Sequence, residues 1–296
     1  MTKWIFRILR YSGIPFLMRE ILQRNKVTIL LFHDLALPDA QRNFQYLKNH
    51  YNIIPLDLFI EAIKKSDVSL IPKKALIITF DDGHKSNFQL LQVFTQLNIT
   101  ATIFLCSGII NTKRRYWFKH QSNGLSISKL KKLSNKDRLG SLSLFQFYQD
   151  KDFPARQAMT KDEIMSLSKV VSMQSHTHFH PILPNCSDDE ALFELNESKV
   201  HLESEYGFSI NTISYPNGDY SDRDIELAKQ IGYTCGVTVD FGYNDVNSDL
   251  FRLKRISAND TSDINELVVK SCGLWAFLKH RGGSKQPYGW KEAKFR

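Results

Sequence analysis

Ala75-Leu76-Ile77-Ile78-Thr79-Phe80-Asp81-Asp82-Gly83 is an apolar, β-branched run that stops at two adjacent acids and a glycine. A short continuous apolar run bounded by a turn signal predicts a strand buried on both faces, the environment of a parallel sheet. Similar runs at 27–32, 53–54, 102–105, 170–173, 212–215 and 235–239 and around Leu253 predict about eight strands. Helical patterns at 41–50, 57–64, 86–97, 160–168, 188–206 and 221–231 fall between them. That alternation predicts βαβ units, hence an α/β fold. An open sheet fits as well; the strand count and a length of 296 residues favour a (β/α) barrel of seven or eight strands. Reactive residues are then expected where strands end and loops begin.

Working outward, the rhythm breaks between Leu105 and Val170, where residues 107–165 read as an inserted cap. Its Tyr116, Trp117, Phe145, Phe147 and Tyr148 either stack on sugar rings or fill the insert's own small core. The expected organisation is a basic amphipathic arm at 1–26, a barrel at 27–260 carrying the cap, and a C-terminal helix and basic tail at 261–296. Composition is that of a globular protein, with 42% hydrophobic and 24% charged residues, which excludes disordered and fibrous classes. The net charge of +8 gathers at the ends. Lys3, Arg7, Arg10, Arg19, Arg24 and Lys26 face only Glu20 in the arm, and Lys279, Arg281, Lys285, Lys291, Lys294 and Arg296 crowd the tail.

Trp4, Ile8, Tyr11, Leu17 and Ile21 interleave with the basic residues of the arm, a pattern suited to an anionic membrane surface met by residues 3–26. Simple solubility would explain the charge equally well. Arg7 and Arg10 interrupt the apolar stretch that a secretory signal needs. The four scattered cysteines suggest reduced thiols. Together these features lead us to expect a cytoplasmic protein, peripheral at the inner face of the membrane. Nucleic acid is not an expected partner, because no stacking platform accompanies the charge.

Two clusters carry chemistry. Asp81 and Asp82 close a strand, so alternation lets one carboxylate face a metal while the other reaches a water; an N-capped turn is the plainer use of Asp-Asp-Gly. After the run at 170–173 comes Ser175-His176-Thr177-His178-Phe179-His180-Pro181. If this segment turns helically, the i,i+4 pair His176 and His180 converges on one ion, and a carboxylate from another strand completes a His₂Asp set. His178 is then left for packing or a supporting role.

Thr79-Phe80-Asp81-Asp82-Gly83 followed by His176-Thr177-x-x-His180-Pro181 resembles the polysaccharide deacetylases, the NodB-homology group of carbohydrate esterase family four. Ser214-Tyr215-Pro216-Asn217-Gly218-Asp219 is similar to the family's third motif, and the likeness runs over about residues 27–260. It implies a distorted (β/α) barrel that hydrolyses the acetamide of an N-acetylhexosamine in a surface glycan or its lipid-linked precursor. Asp82, His176 and His180 would hold one divalent ion, most simply Zn²⁺, with Asp81 as general base. A backbone N–H near Tyr215, Pro216 and Asn217 would face the oxyanion.

The sequence departs from the family pattern twice. Ser214 stands where an Arg usually tunes the base, leaving Arg252 or Arg255 to supply that charge or to pair with Asp249 in solvent. The late-strand Leu-x-His acid is matched only by the letters of Leu278-Lys279-His280, within a helical pattern. His33, closing the run at 27–32, resembles the branch of the family in which an early strand supplies the acid, and Asp34 or Asp240 would raise its pKa. A small cyclic amide or imide hydrolase and a non-catalytic glycan-binding protein are the alternatives.

Overall fold

The structure, a computed structural model, describes residues 2–281. Lys285, Lys291, Lys294 and Arg296 of the expected basic tail lie outside the described residues. Eight strands form one parallel sheet: β1 (Val27–Phe32), β2 (Asn52–Ile53), β3 (Ala75–Phe80), β4 (Thr102–Leu105), β5 (Ser172–Ser175), β6 (Thr212–Ser214), β7 (Cys235–Val237) and β8 (Ile256–Ser257). Their order is β7-β6-β5-β4-β3-β1-β8, with β2 paired to β3 off this path. The sheet curls into a distorted (β/α) barrel. Its two ends approach without a full ladder: Val237 bridges Leu253, and Thr238 N–H donates to the Leu253 carbonyl at 2.9 Å.

β1 and β3 pair along all six residues, from Val27 with Ala75 to Phe32 with Phe80, and every one of these residues is buried. Their shared register brings both carboxyl ends to one level, which puts His33 beside Asp81. Phe32, Phe44, Phe80 and Phe94 interlock beneath that end, with neighbouring ring centroids 5.4–6.2 Å apart, in the tilted and offset arrangements aromatic pairs prefer.

Three expected element positions shift. The fifth strand occupies 172–175 rather than 170–173, because Val170 and Val171 close the preceding turn onto the Leu167 carbonyl. The last strand is not at Leu253, which makes only a bridge, but at Ile256–Ser257 against β1. The helical pattern after Ile264 is two helices, Ile264–Ser271 and Leu274–Arg281, separated at Gly273, whose φ of 77° ends the first.

The insert holds its own cluster of Trp117, Leu130, Leu142 and Phe147, closed by Ile182. Trp117 and Phe147 are therefore core residues of the insert, Tyr116 is buried in the main core, and Tyr148 is exposed. Among the described residues no helix is long and apolar enough to cross a membrane.

Candidate active site

The carboxyl ends of β1, β3, β5 and β6 open onto a cleft of about 250 Å³ lined by His33, Asp81, Asp82, His176, His180 and Asn217, among others. Asp81 stays on the strand path, its N–H donating to the Phe32 carbonyl at 3.0 Å. Asp82 then turns sharply, with φ 74°, and Gly83 follows at 76°. Thr177 (65°), His180 (59°) and Asn217 (60°) also hold left-handed backbone. Such conformations disfavour side-chain-bearing residues and persist where the surroundings over-determine them. His176 and His180 thus converge through a folded-back loop rather than the helical turn their spacing suggested: the left-handed residues reverse the chain, and the ring centroids lie 4.7 Å apart.

Asp82 Oδ1 lies 3.4 Å from both His176 Nε2 and His180 Nε2. Ligand atoms each 2.0–2.2 Å from one tetrahedral ion would be roughly 3.3 Å apart. Asp82 Oδ1 is also buried with no hydrogen-bond partner, a costly state for a carboxylate oxygen unless something positive meets it. His176 Nδ1 lies 2.7 Å from the Ser214 carbonyl, which assigns the proton to Nδ1 and leaves Nε2 free to ligate. Burial pushes the His180 pKa down to about 3, so its imidazole is neutral and fit to ligate. The donor set of one carboxylate and two imidazoles fits a zinc-like cation.

Several residues that the sequence motifs do not point to hold this cluster. His84 Nε2 lies 3.0 Å from Asp82 Oδ2 and so orients the carboxylate. Tyr116 hydroxyl donates to the Asp82 carbonyl at 2.8 Å, and Trp117 Nε1 donates to the His180 carbonyl at 2.7 Å. The cap aromatics therefore brace the backbone of the cluster. On the far side, buried Glu194 accepts the N–H groups of His178 and Phe179 through one oxygen, at 2.9 and 2.7 Å. His178 itself turns away, to Ser107 Oγ at 2.8 Å.

Asp81 faces a different partner. Arg255, fully buried just before β8, sends Nη1 and Nη2 to the two carboxylate oxygens at 2.8 Å each, and Ser214 Oγ donates to Oδ2 at 3.1 Å. Arg255 Nε is fixed on the Thr238 carbonyl at 2.7 Å. Burial alone would push the Asp81 pKa up, but the Arg255 guanidinium outweighs it and holds the carboxyl below its ordinary value. Ser214 thus accompanies an arginine that arrives from another strand. Arg252 instead sits half-exposed against Asp249 and Asp222.

His33 lines the cleft, but neither Asp34 nor Asp240 serves it. Asp34 points to Ser86 and Lys119, on the other side of the chain, and Asp240 accepts from Tyr220. The partner is Asp260, which takes the His33 N–H at 2.8 Å and lies 3.7 Å from its Nδ1. Burial works against protonation, yet Asp260, Asp82 and Asp81 prevail and push the His33 pKa up to about 9.

In the third motif Tyr215 is buried, its N–H given to the Val237 carbonyl at 3.3 Å and its hydroxyl to the Phe251 carbonyl. Pro216 has no N–H. Of the three residues, Asn217 alone retains a backbone donor beside the cleft. Leu278 is exposed and lies within the last helix rather than at the end of a strand.

Residues 71–236, more than half of the sequence, match the model of the family described as polysaccharide deacetylase. The chain belongs to the polysaccharide deacetylase family. As a deacetylase it resembles YxkH of Bacillus subtilis (strain 168), which carries the provisional name of a polysaccharide deacetylase, at 23% identity over 78% of this chain and 71% of that one. The deacetylase also superposes on Streptococcus pyogenes PplD, crystallised with acetate, at a TM-score of 0.62 and 19% identity over 84% of this chain and 99% of that one. For IcaB of Ammonifex degensii the figures are 0.61 and 14%, over 85% and 98%. These structural likenesses establish a common fold.

Proposed function

We propose that this deacetylase is a divalent-metal-dependent hydrolase that cleaves the acetamide of N-acetylhexosamine residues in a surface glycan or its lipid-linked precursor, releasing acetate and a free amine. The observation that carries this reading is the unpartnered, buried Asp82 Oδ1 facing two imidazoles, with a carboxylate base beside it.

Asp82, His176 and His180 would hold the ion, zinc being the simplest match to one oxygen and two nitrogen donors. When bound, it supplies Lewis-acid polarisation of the carbonyl and makes water more acidic. Asp81, kept ionised by Arg255, takes the proton of the attacking water. The N–H of Asn217 is the donor available to the developing oxyanion. His33, protonated beside Asp260, delivers a proton to the leaving nitrogen so that it departs as the amine. Arg255 restores the charge that Ser214 lacks, which favours turnover over a non-catalytic glycan-binding role.

The test is acetate release from a panel of N-acetylated oligosaccharides by zinc-loaded protein, with Asp81→Asn alongside. Release by the wild type and a loss of about 10²–10⁴-fold in the variant, with zinc still bound, is the expected result. Stoichiometric zinc with no release from any glycan by either protein would overturn the reading.

A further inference from the structure

Residues 2–26 fold into the helix Thr2–Tyr11, a short helical turn at Ile14–Leu17 and a wider turn at Met18–Leu22. One side of this arm is anchored: Phe6 is buried with Val269, Cys272 and Leu274, its ring 4.7 Å from that of Trp275. The other side is not covered. Trp4 is 71%, Ile8 66% and Tyr11 72% exposed, and Phe16, Leu17 and Ile21 further along the arm are exposed too. Monomeric soluble proteins rarely present contiguous apolar area of this kind unless it meets something. Lys3, Arg7 and Arg24 are exposed on the same arm, while its single acid, Glu20, is already engaged by Arg19 and Lys74.

We infer that this face of the arm is an interfacial docking surface for an anionic lipid bilayer. The charge decides between occupants. A second copy packed about a two-fold axis would set the same basic residues against one another. An anionic headgroup layer matches them, while the apolar side chains enter the acyl boundary and Trp4 and Tyr11 take the amphipathic level that suits their rings.

The start of the arm adjoins the catalytic end of the barrel, while Glu20 and Arg24 meet Lys74 at the opposite end, just before β3. Lys3, Trp4 and Arg7 share a recess with Ser262, Asp263 and Asn265, directly after Asp260, whose carboxylate holds His33. Docking through the start of the arm therefore sets the edge of the catalytic end near the lipid surface, where a glycan on a lipid carrier would be presented. That last clause rests on the proposed reaction; the docking itself does not.

The experiment is co-sedimentation of the full chain with vesicles of phosphatidylcholine and phosphatidylglycerol in equal parts, beside vesicles of phosphatidylcholine alone. The wild type is expected to pellet with the anionic vesicles and to be released by high salt. Trp4→Glu/Ile8→Glu and Arg7→Glu/Arg24→Glu should each lower binding by roughly tenfold or more. All four side chains are exposed, so circular dichroism and acetate release from a soluble oligosaccharide should match wild type in both variants. The inference is overturned if the wild type stays in solution with anionic vesicles at low salt, or if both variants bind as well as wild type. It is equally overturned if light scattering finds a wild-type dimer that Trp4→Glu/Ile8→Glu dissolves, which would assign the face to a second copy. The sedimentation and light-scattering readouts do not depend on turnover, so failure of the docking and failure of the hydrolase reading are separable.

Discussion

Arg255 and Asp81 form a buried, two-pronged ion pair across 174 residues of sequence, with both N–H···O distances at 2.8 Å. Because Arg255 is also tied to the Thr238 carbonyl, its fork is held in place before substrate arrives, and Asp81 stays ionised in a site that would otherwise favour the neutral acid. Arg255→Lys retains a charge but loses the planar fork, so kcat should fall while zinc content stays constant. With the guanidinium gone, the Asp81 pKa rises and the acid limb of the kcat/KM profile moves to higher pH. An acid limb unchanged in the variant would show that Arg255 has only a structural role. Arg255→Ala leaves a buried carboxylate unpaired and should cost about 3–5 kcal/mol of stability, which is why the lysine variant is the more informative.

His84 is set to act through Asp82. Its Nε2 holds Oδ2 at 3.0 Å, so the other oxygen is presented to the two imidazoles. Removing such a partner commonly lowers metal affinity about 10–100-fold. His84→Ala should therefore need more zinc for half-maximal activity yet recover much of its kcat at saturating zinc, whereas Asp82→Ala should not recover. Equal zinc titrations for His84→Ala and wild type would remove His84 from this role.

These two residues also mark where sequence reading stops. The sheet and the Asp81, Asp82, His176 and His180 constellation were legible because each is local: an apolar run ending in acids, and histidines within one short loop. Arg255, Asp260 and Glu194 act across chain separations of 174, 227 and about 16 residues. Nothing in the surrounding composition tells a buried Arg or Glu from a solvated one. Asp34 stands out in the sequence for the same reason, since nearness along the chain is not nearness in space; Asp240, distant in sequence, meets Tyr220 instead. Tyr116 and Trp117 were read for their rings, but their polar atoms carry the interaction that matters here, the bonds to the Asp82 and His180 carbonyls. The last strand escaped because two residues of pairing leave almost no periodicity.

His33 should govern the alkaline limb of activity. Its pKa is raised from 6.5 to about 9, so the protonated form is favoured in the folded state. The associated stabilisation is present in full below about pH 6.5 and is lost as pH rises through about 9. A bound cation opposes a second positive charge in the same cleft and brings that limb to lower pH. His33→Gln should retain zinc and lose most of kcat with an amine leaving group, and its profile should no longer descend on the alkaline side. Asp260→Asn should keep the limb but shift it toward acid. An alkaline limb that persists unmoved in His33→Gln would assign the proton donor elsewhere.

Glu194 offers a test of the scaffold behind the histidines. It is buried on the helix Asp188–Tyr206, where burial outweighs the N–H groups it accepts and pushes its pKa up from 4.5 to about 7. The sign follows from proton binding. Between these values the folded chain holds the proton more tightly than the unfolded chain, so this carboxyl favours folding below about pH 4.5 and loses that contribution as pH rises through about 7. Glu194→Gln retains an oxygen for the N–H groups of His178 and Phe179 and removes the ionisation. Its stability relative to wild type, measured by urea unfolding, should therefore increase as pH is raised across that window. Glu194→Ala instead leaves two N–H groups of the histidine loop without their acceptor, at about 1–3 kcal/mol for each buried group. It should both unfold earlier and bind zinc more weakly, because His176 and His180 flank the residues it releases. If Glu194→Ala bound zinc as tightly as wild type, the histidine loop would be held by its left-handed backbone and the Ser214 and Trp117 contacts alone.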